Sequence, residues 1–250
     1  MNVEYERLMK NMTWELVPRP RTKRKHVNVL TSVWVLVIKR NEKGEVERFK
    51  ARLAIRGFLQ KFGIDCLQTY SPVVRIESVR SVMIIALMQG LDCRHVDFGT
   101  AFLNGELVYV DIDMEQPEGY DDGSGRVYHL LKGLYGLKQA SKIWNDTLHA
   151  YLRLLNFQQC VFDCGVYYRD GKNGMVYVTV YVDDIVIAAK PSDIDIVVQE
   201  LSAKFEIKDL GRVKHLLRME TNFEPDCLCG KNGNPISYGQ SKICSVTANA

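Results

Sequence analysis

Stretches of period two and period 3.6 alternate along this chain, and each change of period marks an element. Residues 29–38 (VLTSVWVLVI) read as a strand and Asn41-Glu42-Lys43-Gly44 as the turn after it. Residues 45–56 (EVERFKARLAIR) return as a second strand with basic side chains along it. From 78 to 90 the period changes, and Val79, Val82, Met83, Ala86, Leu87 and Gly90 fall on one helical face. A short strand carrying Asp97 follows and ends near the turn dipeptide Asn104-Gly105. A helix from about Lys138 to Asn156 places Trp144, Leu148, Leu152 and Leu155 on one side. Next, Val176, Val178, Val180 and Val182 alternate with Tyr177, Thr179 and Tyr181 up to Asp183-Asp184, after which Ile185–Ala189 is apolar again. That pattern predicts a hairpin with the aspartates at its tip. Ser192 with Asp195 three residues later approximates a capping box, opening a helix that carries Ile194, Val197, Val198, Leu201 and Phe205 inward. The last thirty residues lose periodicity and gain Gly, Asn and Pro, as a loop or poorly ordered tail does. The element order is mixed α and β, with antiparallel hairpins rather than regular βαβ repeats.

The charge distribution sharpens this picture more than the composition does. With 250 residues, 46% hydrophobic and 25% charged, the chain has an ordinary globular balance and length enough for one large domain or two small ones. The net charge is only +3, yet residues 16–61 hold 13 Lys and Arg against 3 Asp and Glu. That segment therefore carries +10 and the remainder −7. A basic lobe beside an acidic one suits a phosphate backbone on one side and metal-binding carboxylates on the other; a solvated basic surface is the alternative. Arg19, Arg21, Lys23, Arg24 and Lys25 alone equally suit a flexible basic arm. No apolar run reaches the ~20 residues that span a bilayer, and the first residues contain no signal-peptide pattern. Seven cysteines at irregular positions predict free thiols in a reducing compartment, with spacings unsuited to zinc.

Asp183 and Asp184 carry the chemical question. Consecutive strand residues face opposite ways, so both can serve one site only from a hairpin tip. There a carboxylate pair stays solvated, is neutralised by cations, or holds a metal.

Eight blocks stand in fixed order: Trp14-Glu15-Leu16-Val17-Pro18, Lys50-Ala51-Arg52-Leu53, Thr69-Tyr70-Ser71-Pro72-Val73, HVDFGTAFLNGEL, MEQPEGY, LYGLKQA, YVDDIVIA and Lys208-Asp209-Leu210-Gly211. Together, over roughly residues 12–220, they closely resemble the reverse transcriptase of copia-type LTR retrotransposons. The resemblance implies an α+β right-hand polymerase, with fingers and an antiparallel palm sheet and a truncated thumb. It divides the chain into an N-terminal extension (1–12), fingers (13–90), a palm (91–212) with a fingers insertion around 108–140, and a truncated primer-grip and thumb start (213–250). It implies two Mg²⁺ ions, for which Mn²⁺ substitutes, held by Asp97, Asp183 and Asp184 with the backbone carbonyl of Phe98.

The same resemblance makes Lys50 and Arg52 triphosphate contacts and Phe102 the residue that excludes a ribose 2′-hydroxyl. Solvated charges and an ordinary core aromatic are the plain alternatives. Gly136, Lys138 and Gln139 match the template and nucleotide platform, while Tyr135, Tyr181 and Arg218 fall to the template and primer, the tyrosines by stacking or inward packing. Implied partners are an RNA template, a DNA primer and deoxynucleoside triphosphates, with no membrane. Implied locations are a cytoplasmic particle or the nucleus, not the secretory route. The chain departs from the family pattern at Ser141-Lys142, in the longer segment after Leu107 and at Leu217-Arg218-Met219-Glu220. Those departures, with the fading thumb, keep a second expectation open: a silent relic that only binds nucleic acid or protein.

Overall fold

The computed structural model describes residues 1–20, 28–40 and 44–213, and the backbone of 215–216, 219–220 and 247–248. Asn41, Glu42, Lys43, the Arg21–Lys25 cluster, Arg218 and nearly all of the tail lie outside the described residues. The chain divides into two compact units, Met1–Ser71 with Ala101–Leu148, and Pro72–Thr100 with His149–Ala250.

In the first unit, helix α1 (Asn2–Lys10) seats Leu8 in the core. Strands β1 (Trp14–Val17), β2 (Val29–Leu30), β6 (Asp113–Met114) and β7 (Val127–Leu130) form one sheet in the order β1-β7-β6-β2. Strands β3 (Ser32–Arg40) and β4 (Val46–Ile55) form a separate two-stranded sheet. The expected strand over 29–38 therefore breaks at Thr31. Leu30, fully buried, stays in the core sheet as a parallel partner of β6, and the chain beyond it leaves to pair with β4. Register sorts the hairpin into two faces. Val37–Lys50, Val35–Arg52 and Lys39–Arg48 pair on one, while Ile38–Phe49, Leu36–Ala51 and Trp34–Leu53 pair on the other.

The second unit is built on a six-stranded sheet. Its strands are β5 (Asp92–Phe98), β8 (Gln158–Gln159), β9 (Val166–Asp170), β10 (Met175–Tyr181), β11 (Asp184–Ala189) and β12 (Ile207–Arg212), in the order β12-β5-β11-β10-β9-β8. A small second sheet joins β13 (His215–Leu216), β14 (Met219–Glu220) and β15 (Thr247–Ala248), so two residues of the expected tail pair as a strand. Helix α2 (Ile76–Met88) puts Val79, Val82, Met83 and Ala86 against Cys93, Val186 and Ala188. Gly90, expected on that apolar face, instead lies exposed past the C-cap at φ +59, the left-handed terminator for which glycine is suited. Helix α3 (Ala140–Leu154) buries Trp144, Leu148 and Leu152 and belongs in part to each unit.

Helix α4 (Pro191–Ser202) corrects the capping-box expectation. It begins at Pro191, whose missing N–H is harmless in the first turn, and Lys190 at the N-cap makes no side-chain capping bond. The Ser192 hydroxyl accepts from Asn173 Nδ2 at 2.9 Å. Asp193, not Asp195, is the buried acid, accepting the N–H groups of Lys172 and Asn173 at 3.1 and 2.9 Å. The four described free cysteines are Cys66, Cys93, Cys160 and Cys164. Burial pushes the Cys93 thiol up to about 12, with Asp92 adding to the shift. No helix among the described residues is long and apolar enough to cross a membrane.

Candidate functional site

The candidate acidic site follows from strand alternation in the second unit. Along β5, Cys93, His95 and Asp97 face one way and Val96 and Phe98 the other. Phe98, buried, meets Phe205 edge-on at 5.4 Å, so its alternation partner Asp97 is turned to the opposite face and stays half exposed. Register sets Asp97 directly opposite Asp184, the first residue of β11. Tyr181 pairs with Asp184 across β10 and β11, leaving Val182 and Asp183 as a two-residue turn. Asp183 accepts the Phe98 N–H on its backbone oxygen at 2.9 Å, which ties the turn to the end of β5.

Two features of this region were not anticipated. Val182 has φ +56, a conformation costly for a β-branched residue, at the first central position of the turn. Strain of this kind persists where surrounding structure over-determines the backbone, as at functional sites. His95 Nε2 donates to Asp184 Oδ1 at 2.8 Å, reaching diagonally across the strand pair. The signal was present in the sequence: His95 lies two residues before Asp97, hence on its face.

Among the described residues no group of three His, Cys, Asp or Glu side chains is set to hold a metal ion by itself. The donor chemistry nevertheless fits Mg²⁺. Asp97 and Asp184 are hard oxygen donors in cross-strand register, and Asp183 sits on the adjoining turn. Mg²⁺ uses one or two carboxylates plus substrate phosphates and water rather than an all-protein cage.

A separate basic cluster lies in the first unit. Arg48, Lys50 and Arg52 stand at alternate positions of β4 and share one face. Partial burial, then the charges of Arg52 and Arg48, hold the Lys50 ammonium below the ordinary lysine range. A cluster of cations on one strand face is suited to an anion. Arg52 stacks over the Tyr135 ring at 5.0 Å, and Tyr135 meets Phe102 edge-on at 5.0 Å. Three predicted residues from distant parts of the chain thus form one stack. Tyr181 in the second unit is solvent exposed.

The LYGLKQA segment is placed by contacts within the protein. Gly136, at φ +90, lies so close to β4 that an added Cβ would come within 2.1 Å of the Ile55 carbonyl oxygen. Gln139 is buried, its amide oxygen accepting from Gln60 Nε2 at 2.9 Å and its nitrogen donating to the Asp65 carbonyl at 2.8 Å. Lys138 is exposed on average but donates from Nζ to the Gln60 carbonyl at 3.0 Å. Sequence patterning missed Gln60 and Asp65, since neither belongs to an apolar period.

Comparison with known proteins agrees with the motif order. Residues 11–229 match the family described as reverse transcriptase (RNA-dependent DNA polymerase). The Retrovirus-related Pol polyprotein from transposon RE1 of Arabidopsis thaliana is 35% identical over 228 residues, 90% of this chain and 15% of that protein. The corresponding polyprotein from transposon TNT 1-94 of Nicotiana tabacum is 36% identical over 224 residues, 88% of this chain and 16% of that protein. The polyprotein from transposon RE2 of Arabidopsis thaliana is 32% identical over 231 residues, 91% of this chain. The chain therefore spans 15 to 16% of the length of these relatives. It belongs to the reverse transcriptase (RNA-dependent DNA polymerase) family, in its copia-type retrotransposon form.

Proposed function

We propose that this chain is the fingers-and-palm portion of a copia-type reverse transcriptase and extends a DNA primer on an RNA template from deoxynucleoside triphosphates. The observation that carries the reading is the Asp97–Asp184 register with Asp183 on the adjoining turn. Family membership gives those positions their meaning. In this reading the six-stranded sheet is the palm and the basic hairpin is the fingers. The grouping of residues 101–148 with Met1–Ser71 supports an insertion that returns to the fingers, while the grouping of Pro72–Thr100 with the six-stranded sheet ends the fingers near Ser71 in this reading, not at 90 as expected.

Asp97, Asp183 and Asp184, with the Phe98 carbonyl, would hold two divalent ions, Mg²⁺ or Mn²⁺. The chemistry these supply when bound is a lowered pKa at the primer 3′-hydroxyl and charge stabilisation at the leaving pyrophosphate. The chain's own part is positioning and electrostatics. His95 holds Asp184 in one orientation, as outer-shell partners of ligating groups do. Lys50 and Arg52 neutralise the triphosphate, which offsets the burial and the neighbouring positive charges that hold Lys50 below its ordinary range. Phe102, braced by Tyr135, excludes a 2′-hydroxyl, and Tyr181 offers an exposed ring for stacking on the template–primer. Arg218 belongs to the primer grip in the same reading.

The test is extension of a DNA primer on an RNA template, first with Mg²⁺ and then with Mn²⁺, beside an Asp183→Asn control. Incorporation lost in the control supports the reading. Binding to the primer–template without incorporation, by a folded protein, overturns it in favour of a silent nucleic-acid-binding relic.

A further inference from the structure

Gln60 belongs to none of the motif blocks, yet more polar contacts converge on it than on any residue of LYGLKQA. It is 4% exposed and lies between the end of β4 and the 134–139 loop of the first unit. Its side-chain oxygen accepts the Lys138 N–H at 2.8 Å. Its side-chain nitrogen donates to Gln139 Oε1 at 2.9 Å and to the Asp65 carbonyl at 3.1 Å. Its backbone carbonyl accepts from Lys138 Nζ at 3.0 Å. Reversing the amide would set its oxygen against two acceptors and its nitrogen against a donor, so the network admits one orientation.

The surroundings are as tightly specified. Gln139 completes the ring by donating to the same Asp65 carbonyl. Asp65 is 1% exposed, and its carboxylate accepts from Asn28 Nδ2 and the Lys61 N–H at 2.9 and 2.8 Å, closing the turn that presents this carbonyl. On the other side of Gln60, a Cβ on Gly57 would fall 1.9 Å from the Gly136 carbonyl oxygen. The Ile55 N–H donates to the Tyr135 carbonyl at 2.8 Å. The base of the basic hairpin and the Tyr135–Gln139 loop are therefore joined backbone to backbone, with a buried amide as the clasp. A fully satisfied buried polar network rigidifies and specifies one arrangement, and removing one member leaves the others unpaired.

We infer that Gln60 is a positioning residue for the incoming nucleotide: it sets Lys138, Gln139 and Tyr135 relative to Lys50 and Arg52 without touching substrate. The inference rests on the polymerase reading above. It assigns Gln139 to the inside of the clasp and leaves the nucleotide to Arg52, Tyr135 and Phe102. Nucleotide affinity then depends on Gln60, whereas the bond-forming step depends on the carboxylates of the other unit.

The experiment compares wild type, Gln60→Met and Gln60→Glu by dTTP titration on a poly(rA)–oligo(dT) template–primer, with amide hydrogen exchange read at Lys138. Gln116→Ala serves as a control, since Gln116 ties the Asp122–Arg126 loop of the same unit by an amide and touches none of these groups. Gln60→Met removes every side-chain hydrogen bond at near-constant volume. Gln60→Glu keeps only the acceptor for Lys138. Expected is a rise in KM for dTTP of about tenfold or more with kcat within about threefold for Gln60→Met, and no change for Gln116→Ala. Lys138 exchange should accelerate in Gln60→Met and stay slow in Gln60→Glu. An unchanged KM, or a loss confined to kcat, overturns the inference. A Gln60→Met chain that does not fold leaves Gln60→Glu to decide, by the same KM rise with Lys138 still protected. If wild type extends no primer, the polymerase reading fails by itself. The inference is then judged by whether dTTP slows Lys138 exchange in wild type and not in the variants, and it falls if the two behave alike.

Discussion

The β10–β11 hairpin has β9 and β5 as hydrogen-bonded neighbours, whereas β3–β4 stands as a two-stranded sheet by itself. Ile185 and Ile187 of the first are fully buried; Leu36, Ile38 and Phe49 of the second are 68, 50 and 79% exposed. A lone hairpin is marginal in water, and a central one is locked by its sheet. In the polymerase reading proposed above, the difference matches two kinds of chemistry. Carboxylates that define an ion's position need a rigid support, because a misplacement of about 1 Å costs on the order of 10²-fold in rate. Cationic side chains that neutralise a polyphosphate act over several ångströms and tolerate a mobile support. The stack of Arg52, Tyr135 and Phe102 and the Gln60 clasp are what tether the exposed hairpin at its base.

The largest test of this contrast sets one residue from each hairpin system side by side. Asp97→Asn should lower kcat by about 10³-fold or more, while Arg52→Ala raises KM for the nucleotide by about tenfold. Single-turnover primer extension separates the two. A kcat loss of the same size in both would erase the division between a rigid and an adaptive region. Next in size is the core. Ile187→Ala, at a fully buried position, should cost about 2–5 kcal/mol in urea unfolding, and Ile38→Ala, half exposed, less than about 0.5 kcal/mol. Equal costs would mean that the β3–β4 hairpin is covered in solution.

A smaller effect concerns the turn. Strain at Val182 is worth about 1–3 kcal/mol and the added chain entropy of glycine opposes by about 0.5–1, so Val182→Gly should stabilise by about 1 kcal/mol. A lower melting temperature for Val182→Gly would show that the turn is held by side-chain packing instead. The smallest expected effect is on the acid limb. Burial pushes the Asp163 carboxyl up, but bonds from the Ser78 side chain and the Arg75 and Gly165 N–H groups outweigh it and hold the group below the usual range. A depressed carboxylate stabilises the fold above its unfolded pKa of about 3.9 and loses that contribution as pH falls toward the folded value. Asp163→Asn should thus be less stable at pH 7, with the gap to wild type closing below about pH 4 in thermal melts. A gap that widens in acid would reverse the sign.

Much of the local structure was readable before any coordinates. Alternation predicted both hairpins, and the helical period of 78–90 identified Val79, Val82, Met83 and Ala86 as core positions. Where local reading failed, a nonlocal partner decided. The strand over 29–38 broke because Leu30 found a parallel neighbour in β6. Helix α4 began at Pro191, one residue before Ser192, so the capping box did not form and the Ser192 hydroxyl accepts from Asn173 instead. Gln139 resembled a surface contact in the motif and is instead a buried half of a clasp, because its partner Gln60 lies 79 residues away in sequence.

The sequence by itself determined which residues have which chemistry and which face of its element each one occupies: carboxylates at a hairpin, cations at every second position of a strand, apolar periods beneath them. Those are consequences of backbone geometry, which acts over a few residues. Only the tertiary structure decided that Asp97 stands opposite Asp184, that His95 reaches the same carboxylate, and that Gln60 closes on Lys138 and Gln139. Strand period names a face but not the residue across from it. Register and buried polar pairing are settled by which arrangement buries one face and leaves no polar group unsatisfied, and that balance is struck over the whole unit.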